Sequence, residues 1–436
     1  MSVKNSSPAR ITRRRVMQGG AAAVAVAGLG KFIAAPAIAQ TGTFKIGYVS
    51  PQTGPLAPFG EADNFMLGLA RKHFAPGVKT AGGKTVNVEI IVKDSQSKEN
   101  RAAEVAADLI SKDKVDLLLV ASTPETTNPV SDQAETNEVP CVSTMAPWQP
   151  WYFARGGKPD AGFKYTYHYF WGLEDVIGAY LAMWGKVPSN KVVGGLFPND
   201  GDGNAWGDPK MGIAPPMNKL GYKLIDPGRF PDMNDNFSNY IGTFKKENVE
   251  IVTGVIIPPD MGTFLTQAAQ QSFKPKAITV GKALLFPVVI DSFGAAANNL
   301  SSEMWWGPTW PYKSSLTGET CQQLCNAYEA ATKKQWTQHI GFAYSLFEMA
   351  NDIVKRSQGA GNRDAVLAAV EKTNLETVVG PISWSGKGPV TTVSKTPMVG
   401  GQWRKTKSGP WKNEIIVVAN DTAPQIPVAG KMEPYN

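Results

Sequence analysis

The densest group of side chains that could bind an ion or a polar ligand lies at residues 199–204, which read NDGDGN. Acids that alternate with glycines are typical of a calcium loop, in which a further carboxylate closes the site at the twelfth position. Counted from Asp200, that position is Met211, so we do not predict a calcium site. We interpret Asp200 and Asp202 either as contacts to hydroxyl or amide groups of a solute or as helix caps.

Other patterns of catalytic or metal-binding residues are absent from the sequence. The three histidines at positions 73, 168 and 339 are scattered, and no zinc-protease, serine-hydrolase or phosphate-loop motif occurs. We therefore predict no metal site, no cofactor and no enzymatic activity. A hydrolase that uses Asp200, Asp202 or His339 stays the rival hypothesis, because a missing motif excludes little.

The first segment typical of a folded domain is 44–61, which reads FKIGYVSPQTGPLAPFGE. Its apolar start ends at Ser50 and Pro51 and indicates a buried strand, and the glycines and prolines that follow indicate a loop before a helix. In an open α/β sheet such a loop lies beyond the carboxyl end of its strand, where ligands bind. We expect this loop to form one lip of a solute-binding cleft.

Strands and helices then alternate in two successive sets. In the first set, an amphipathic helix at 98–112 precedes a strand at 115–120 that is apolar apart from Asp116, as expected for a parallel sheet covered on both faces. The second set runs from a helix at 173–184 to a strand at 278–281 and includes a predicted loop at 199–207. This pattern predicts an α/β protein of two lobes, each built on a mostly parallel, doubly wound sheet.

Residues 1–39 have the pattern of an export signal. A twin-arginine motif, TRRRVM at 12–17, precedes a weakly apolar stretch and an A-x-A cleavage pattern that ends at Ala39. The apolar stretch is too short and too rich in Gly and Ala for a comfortable membrane span. We predict a periplasmic protein whose signal is cleaved near Ala39 and Gln40.

The predicted mature chain is nearly neutral. Six of the 44 basic residues lie in 1–39, which contains no acid, so 38 bases remain against 37 acids. This balance favours neither nucleic acid nor an anionic membrane as a partner. Three cysteines do not make a disulfide scaffold; Cys321 and Cys325 lie four apart in a helical stretch, where a bridge is geometrically awkward.

Several motifs occur in an order and spacing that resemble a known family. They are TGP at 53–55 followed by Phe59 and Gly60, KD at 93–94 before an Ala-rich helix, VPCVS at 139–143, and GPISW at 380–384. Over residues 43–420 the chain resembles the branched-chain-amino-acid-type (leucine/isoleucine/valine) periplasmic binding proteins of ABC importers.

The resemblance implies two lobes joined by about three crossing segments that close on one small molecule. It places 43–168 and 314–398 in lobe 1, and 169–313 and 399–436 in lobe 2. It also implies delivery of the solute to the membrane permease of an ABC importer, and we expect a monomer. A secreted sensor domain with the same fold stays an alternative.

The family's solute contacts from the first lobe can be matched to loops of this sequence. The first loop provides an aromatic contact, the loop after the third strand provides small hydroxyl groups, and the following loop offers a hydroxyl and backbone N–H groups to a ligand carboxylate. The matching residues are Phe59, Ser122, Thr123, Thr144, Met145 and Ala146.

The second lobe departs from the pattern of amino-acid binders, which place a carboxylate there for the ligand ammonium. The matching segment of this sequence contains Lys282 and no acid. An unpaired lysine in a poorly solvated cleft would repel an ammonium and attract an anion. The aromatic residues Trp148, Trp151, Tyr152 and Trp206 lie on predicted cleft loops and suit a flat or apolar solute body.

These observations predict a carboxylate or an aromatic or apolar anion as the solute. An amino acid or an amide is the alternative.

Overall fold

The computed structural model describes residues 42–159, 161–385 and 388–435. The predicted export signal and its cleavage site at Ala39 and Gln40 lie outside these ranges. Among the described helices, none combines the length and the apolar composition that a membrane crossing requires.

The described ranges contain strands β1 to β17. In chain order they are Thr43–Ser50, Val78–Lys79, Thr85–Asp94, Leu117–Ala121, Cys141–Thr144, Thr166–Tyr169, Val192–Pro198, Lys223–Ile225, Arg229–Phe230, Ile251–Ile256, Ala277–Lys282, Ser301–Met304, Asn374–Thr377, Gly380–Ser383, Val393–Ser394, Val399–Lys405 and Asn413–Ala419.

The same ranges contain helices α1 to α13. In chain order they are Asp63–Phe74, Glu99–Ser111, Pro124–Thr136, Trp148–Tyr152, Leu173–Trp184, Gly201–Trp206, Ala214–Lys219, Ser238–Lys246, Pro258–Gln270, Pro287–Ser292, Cys321–Thr332, His339–Arg356 and Arg363–Glu371.

Two large sheets organise these elements. The first has the strand order β15-β6-β5-β4-β1-β3-β2 and is parallel except for the pair β2 and β3. The second has the order β17-β16-β12-β11-β10-β7-β8, with β9 beside β7, and its antiparallel pairs involve β16. We call the layers built on these sheets the first and the second lobe.

The chain passes from one sheet to the other three times, after β6, β12 and β15. This path confirms the predicted two-lobed α/β fold with about three crossing segments. The residue boundaries given for the lobes in the sequence analysis stay a prediction.

Burial explains why the central strands are so apolar. All residues of β4 and of β10 are buried, because helices cover both faces of each sheet. Helix α2 turns Ala102, Val105 and Leu109 towards the first sheet and leaves its charged residues in water, as the sequence pattern predicted. The thiols of Cys321 and Cys325 are buried and unpaired.

The segment 199–207, which we predicted to be a loop, contains helix α6, so this prediction is wrong. Asp200 caps this helix, since its carboxylate accepts the N–H of Gly203 at 2.6 Å. Gly203 packs so closely on β7 that an added Cβ would lie 2.1 Å from the carbonyl oxygen of Pro198. By sequence alone the glycines of this segment indicate a loop, whereas Gly203 is required because the helix lies too close to the strand for a larger side chain.

Asp63, the first residue of α1, gives a pH-dependent prediction. Its carboxylate is buried beneath the first cleft loop and accepts the hydroxyl of Tyr48 at 2.9 Å and that of Ser50. Burial raises the pKa of Asp63 to about 7, although both hydrogen bonds oppose the shift. The folded state therefore binds a proton that the unfolded chain has already released, and the stability that this proton provides is lost as the pH rises through 7.

We expect Asp63→Asn to gain free energy of unfolding relative to the wild type as the pH is raised from about 4.5 to 7, by up to about 1.4 kcal/mol per pH unit. Denaturant unfolding at several pH values measures the difference. The exposed Asp421→Asn is the control and should follow the wild type at each pH. A difference between Asp63→Asn and wild type that does not change with pH would contradict the prediction.

Candidate functional site

A small buried cavity lies where the carboxyl ends of the two sheets face each other. Segments after β1, β4, β5 and β6 line it from the first lobe, and α6 and the ends of β10, β11 and β12 line it from the second lobe. Its volume is about 20 Å³, which is room for about one water molecule. Six predicted site residues line this cavity: Phe59, Thr123, Met145, Asp202, Trp206 and Lys282.

Aromatic packing and a bent backbone shape the wall of the first lobe. The ring of Phe59 meets Phe286 edge to face at 5.0 Å between centroids and meets His339 at 4.9 Å. Met145 has a φ of +69°, in the left-handed region that non-glycine residues rarely adopt. The chain thus turns sharply at the end of β5, which brings the Met145 side chain to the cavity.

Lys282 is not the free positive charge that the sequence predicted. Its ammonium lies 2.6 Å from a carboxylate oxygen of Asp200, 3.0 Å from one of Asp202 and 3.5 Å from one of Glu125. The side chain is 4% exposed. The expectation that it attracts an anionic solute therefore rests on a wrong premise, because three acids already surround it.

The three acids and the lysine perturb one another's pKa. Burial opposes the charged form of Lys282, yet the attraction of Asp200, Asp202 and Glu125 raises its pKa. Burial raises the pKa of Asp202 to about 8 and that of Asp200 to about 6, in spite of the lysine. Burial also opposes the charged form of Glu125, but the charge of Lys282 and hydrogen bonds to the carboxylate together outweigh burial and lower its pKa.

We call Lys282, Asp200, Asp202 and Glu125 the charge cluster. It lies between the cavity and an outer cleft. Lys282 lines both spaces, Asp202 lines the inner cavity, and Asp200 and Glu125 line the outer cleft of about 810 Å³. The predicted site residue Asp200 therefore lies at the entrance and not at the cavity wall.

Several buried polar atoms around the cavity have no hydrogen-bond partner among the described residues. They are the indole N–H groups of Trp171, Trp206 and Trp305, the hydroxyl of Thr123 and the Oδ1 atom of Asp202. Buried polar groups in proteins are almost always hydrogen-bonded, so exceptions that converge on one cavity indicate a place for a polar ligand. The cavity therefore presents three indole donors, one hydroxyl group and one carboxyl oxygen between aromatic rings.

Three predicted residues of the first lobe do not reach the cavity. The hydroxyl of Thr144 donates to the Tyr169 carbonyl at 2.6 Å, inside the sheet. The Ala146 carbonyl hydrogen-bonds the ring of His168 at 2.7 Å. Ser122 is buried at the end of β4, one residue before Thr123, and is not among the lining residues.

The predicted aromatic residues Trp148, Trp151 and Tyr152 belong to a separate core of the first lobe. Trp151 stacks on His168 at 4.6 Å, and its indole N–H donates to the Ser131 hydroxyl at 3.1 Å. The Trp148 indole N–H donates to Glu174 of α5 at 3.2 Å, and none of the three side chains lines the cavity. Sequence position near a cleft loop therefore did not distinguish core from site.

Glu303 is the most informative cavity residue that the sequence did not predict. Its carboxylate accepts the hydroxyls of Tyr180 at 2.5 Å and Ser302 at 2.8 Å, and burial raises its pKa. Glu303 is an acid within the fully buried strand β12. Buried acids are rare without a specific partner, so this residue was the available signal. Trp171, Trp305 and Phe170 also line the cavity.

The sequence also matches a known protein family. A family model described as periplasmic binding protein matches residues 43–407, which is most of the chain. The chain belongs to this family. The fold is similar to that of the leucine binding protein LivK from Thermotoga maritima MSB8, with 19% identity and a TM-score of 0.66 over 86% of this chain and 99% of that one.

Two further solved structures show the range of ligands on this fold. LivJ from Streptococcus pneumoniae, in complex with isoleucine, has 18% identity and a TM-score of 0.66 over 86% of this chain and 99% of that chain. A solute binding protein of an ABC transporter from Rhodopseudomonas palustris BisB5, in complex with 3,4-dihydroxy benzoic acid, has 18% identity and a TM-score of 0.66 over 88% and 99%. The likeness to these structures confirms the fold, the family model gives the binding-protein family, and neither selects branched-chain amino acids.

The charge cluster predicts that Lys282 stabilises the protein. Lys282→Met removes the cation that contacts three carboxylates, and breaking a buried ion pair typically costs about 3–5 kcal/mol. Denaturant unfolding at pH 8 should show a loss of this order, and the loss should shrink at pH 5 because the acids then take up protons.

The matched control for this change is Lys276→Met. Lys276 pairs with Glu250 at 2.9 Å, but its side chain is 45% exposed, so we expect a loss below about 1 kcal/mol. Equal effects of the two substitutions would contradict the assignment of a buried charge cluster.

Proposed function

We propose that this protein captures one small molecule between its lobes outside the cytoplasmic membrane and delivers it to the permease of an ABC importer. The observation that carries the proposal is the cavity to which both lobes contribute aromatic rings and unpartnered polar atoms. The family supports solute capture, and the neighbour from Rhodopseudomonas palustris BisB5 belongs to an ABC transporter. The protein would return its solute unchanged, in contrast to an enzyme.

The polar groups of the cavity favour a solute that both accepts and donates hydrogen bonds. The indole groups of Trp171, Trp206 and Trp305 are donors only, so they require an acceptor such as a carbonyl or carboxylate oxygen. The unpartnered oxygen of Asp202 can receive an amide N–H or an ammonium. An amide or an amino acid with a flat or apolar body meets both requirements.

A carboxylate with an aromatic or apolar body is the second candidate. The three indole donors support it, because they could share the two oxygens of a carboxylate. The acids around Lys282 oppose it, since their negative charge already exceeds that of the single lysine. We therefore place the amide and amino-acid class before the anion that the sequence predicted.

The size of the cavity requires a conformational step. Cavities that hold small organic ligands measure roughly 300 Å³ or more, whereas this one measures about 20 Å³. The lobes must separate, or the aromatic side chains must move, before a solute enters. Hinge motion between two lobes is the usual way in which such a cleft opens.

A thermal-shift screen followed by calorimetry tests the solute class. Benzamide, benzoate, phenylalanine and leucine form a panel in which the charges differ and the apolar body is similar. We expect a higher melting temperature with members that carry both a donor and an acceptor, because ligand binding stabilises the folded state by mass action. Benzoate as the strongest binder would support the second candidate instead.

Cavity variants then test the site. Trp206→Phe should weaken the best binder of the panel roughly 5- to 10-fold, since it removes one donor worth about 1 kcal/mol. Because the Trp206 ring is buried against Tyr180, affinity is measured on protein that is shown to be folded. Trp151→Phe is the matched control, because its indole serves the core of the first lobe. Equal affinities of the wild type and Trp206→Phe would contradict the site, and consumption of the bound compound would favour an enzyme.

A further inference from the structure

Glu125 is the acid of the charge cluster that comes from the opposite lobe. It is the second residue of α3, which packs on the first sheet, whereas Lys282, Asp200 and Asp202 belong to the second lobe. Its side chain lies at the entrance of the cleft and is 21% exposed. The first lobe thus extends one carboxylate into a group of charges that the second lobe holds.

Two kinds of contact join Glu125 to the second lobe. Both carboxylate oxygens lie 3.5 Å from the Lys282 ammonium. Its Oε1 also accepts the backbone N–H of Gly201 at 3.1 Å. An ionised acceptor makes stronger hydrogen bonds than a neutral one, and the low pKa of Glu125 keeps it ionised.

The contacts of Lys282 within its own lobe do not depend on closure. Asp200 and Asp202 lie closer to the ammonium than Glu125 does, at 2.6 and 3.0 Å against 3.5 Å. When the lobes separate, Lys282 therefore keeps two counter-charges while Glu125 loses both of its contacts. The bond across the cleft can break without leaving the lysine unpaired.

We propose that Glu125 is the positioning residue that holds the cleft closed, through Lys282 and the N–H of Gly201. The proposal rests on the proposed solute capture and adds how the closed state is kept. Glu125 does not line the inner cavity, so it acts on retention and not by touching the solute. Closure held by a charge pair at the cleft entrance is weakened by salt, unlike closure held by apolar contacts alone.

The separation of the lobes can be measured in the solute-free protein. Exposed Asn100 of α2 and exposed Asn204 of α6 line the outer cleft from opposite lobes, so cysteines at these positions can carry a pair of spin labels. Pulsed dipolar spectroscopy then gives the distribution of distances between the labels. The native thiols are buried and leave the two introduced cysteines as the accessible ones.

We expect the wild type to show a dominant short distance that 1 M salt reduces. Glu125→Gln, which loses the charge, should lower the ratio of closed to open molecules about ten-fold. Glu125→Lys adds repulsion towards Lys282, so we expect only the long distance of the open state in this variant. Both variants should unfold like the wild type, because Lys282 keeps Asp200 and Asp202.

Glu99→Gln is the matched control. Glu99 is also an acid in the first turn of a helix of the first lobe and lines the same outer cleft, but none of the described contacts joins it to the second lobe. Its distance distribution should equal that of the wild type. Identical distributions in wild type, Glu125→Gln and Glu125→Lys, or an open wild type, would overturn the proposal. The distance measurement uses no solute, so its failure would not contradict solute capture. Likewise, failure of the solute panel would not contradict the closure result.

Discussion

A buried ammonium must be surrounded by negative charge, and Lys282 imposes this requirement where the two lobes meet. Taking such an ion out of water costs several kcal/mol, which nearby carboxylates have to offset. Two of them come with α6, whose cap Asp200 both begins the helix and contacts the lysine. The third, Glu125, comes from the opposite lobe. The same charge therefore places a helix within one lobe and a contact between lobes.

The order of the strands explains why these residues converge at one place. In the first sheet β5, β4 and β1 are neighbours, and in the second sheet β11, β10 and β7 are neighbours. All six are parallel within their sheets, so the loops after them leave at one edge. Two such edges that face each other make a cleft whose walls come from segments far apart in sequence, such as Phe59 and Lys282.

The sequence predicted the fold better than it predicted the site, for a physical reason. Apolar periodicity depends on burial alone, and it correctly gave strands, helices and two lobes. The role of a polar or aromatic side chain depends on its partners, which the sequence does not contain. Trp151 and Trp206 both lie in segments predicted as cleft loops. Trp151 nevertheless donates a hydrogen bond to Ser131 in a core, whereas Trp206 lines the cavity. Lys282 was found, but it is neutralised first of all by Asp200, which lies 82 residues away.

Asp202 belongs to the charge cluster and also lines the inner cavity. One of its oxygens lies 3.0 Å from the Lys282 ammonium, and the other has no hydrogen-bond partner among the described residues. Burial raises the pKa of this carboxyl, so it takes up a proton more readily than an exposed aspartate, and a solute that donates a hydrogen bond to it would favour the ionised form. Ionisation strengthens the attraction between Asp202 and Lys282 and fixes the ammonium near Glu125. A solute that supplies a hydrogen-bond donor would thus strengthen the contacts within the charge cluster. A carboxylate without a donor would instead require that Asp202 keep its proton. The protonation of Asp202 would therefore discriminate between the two classes of solute.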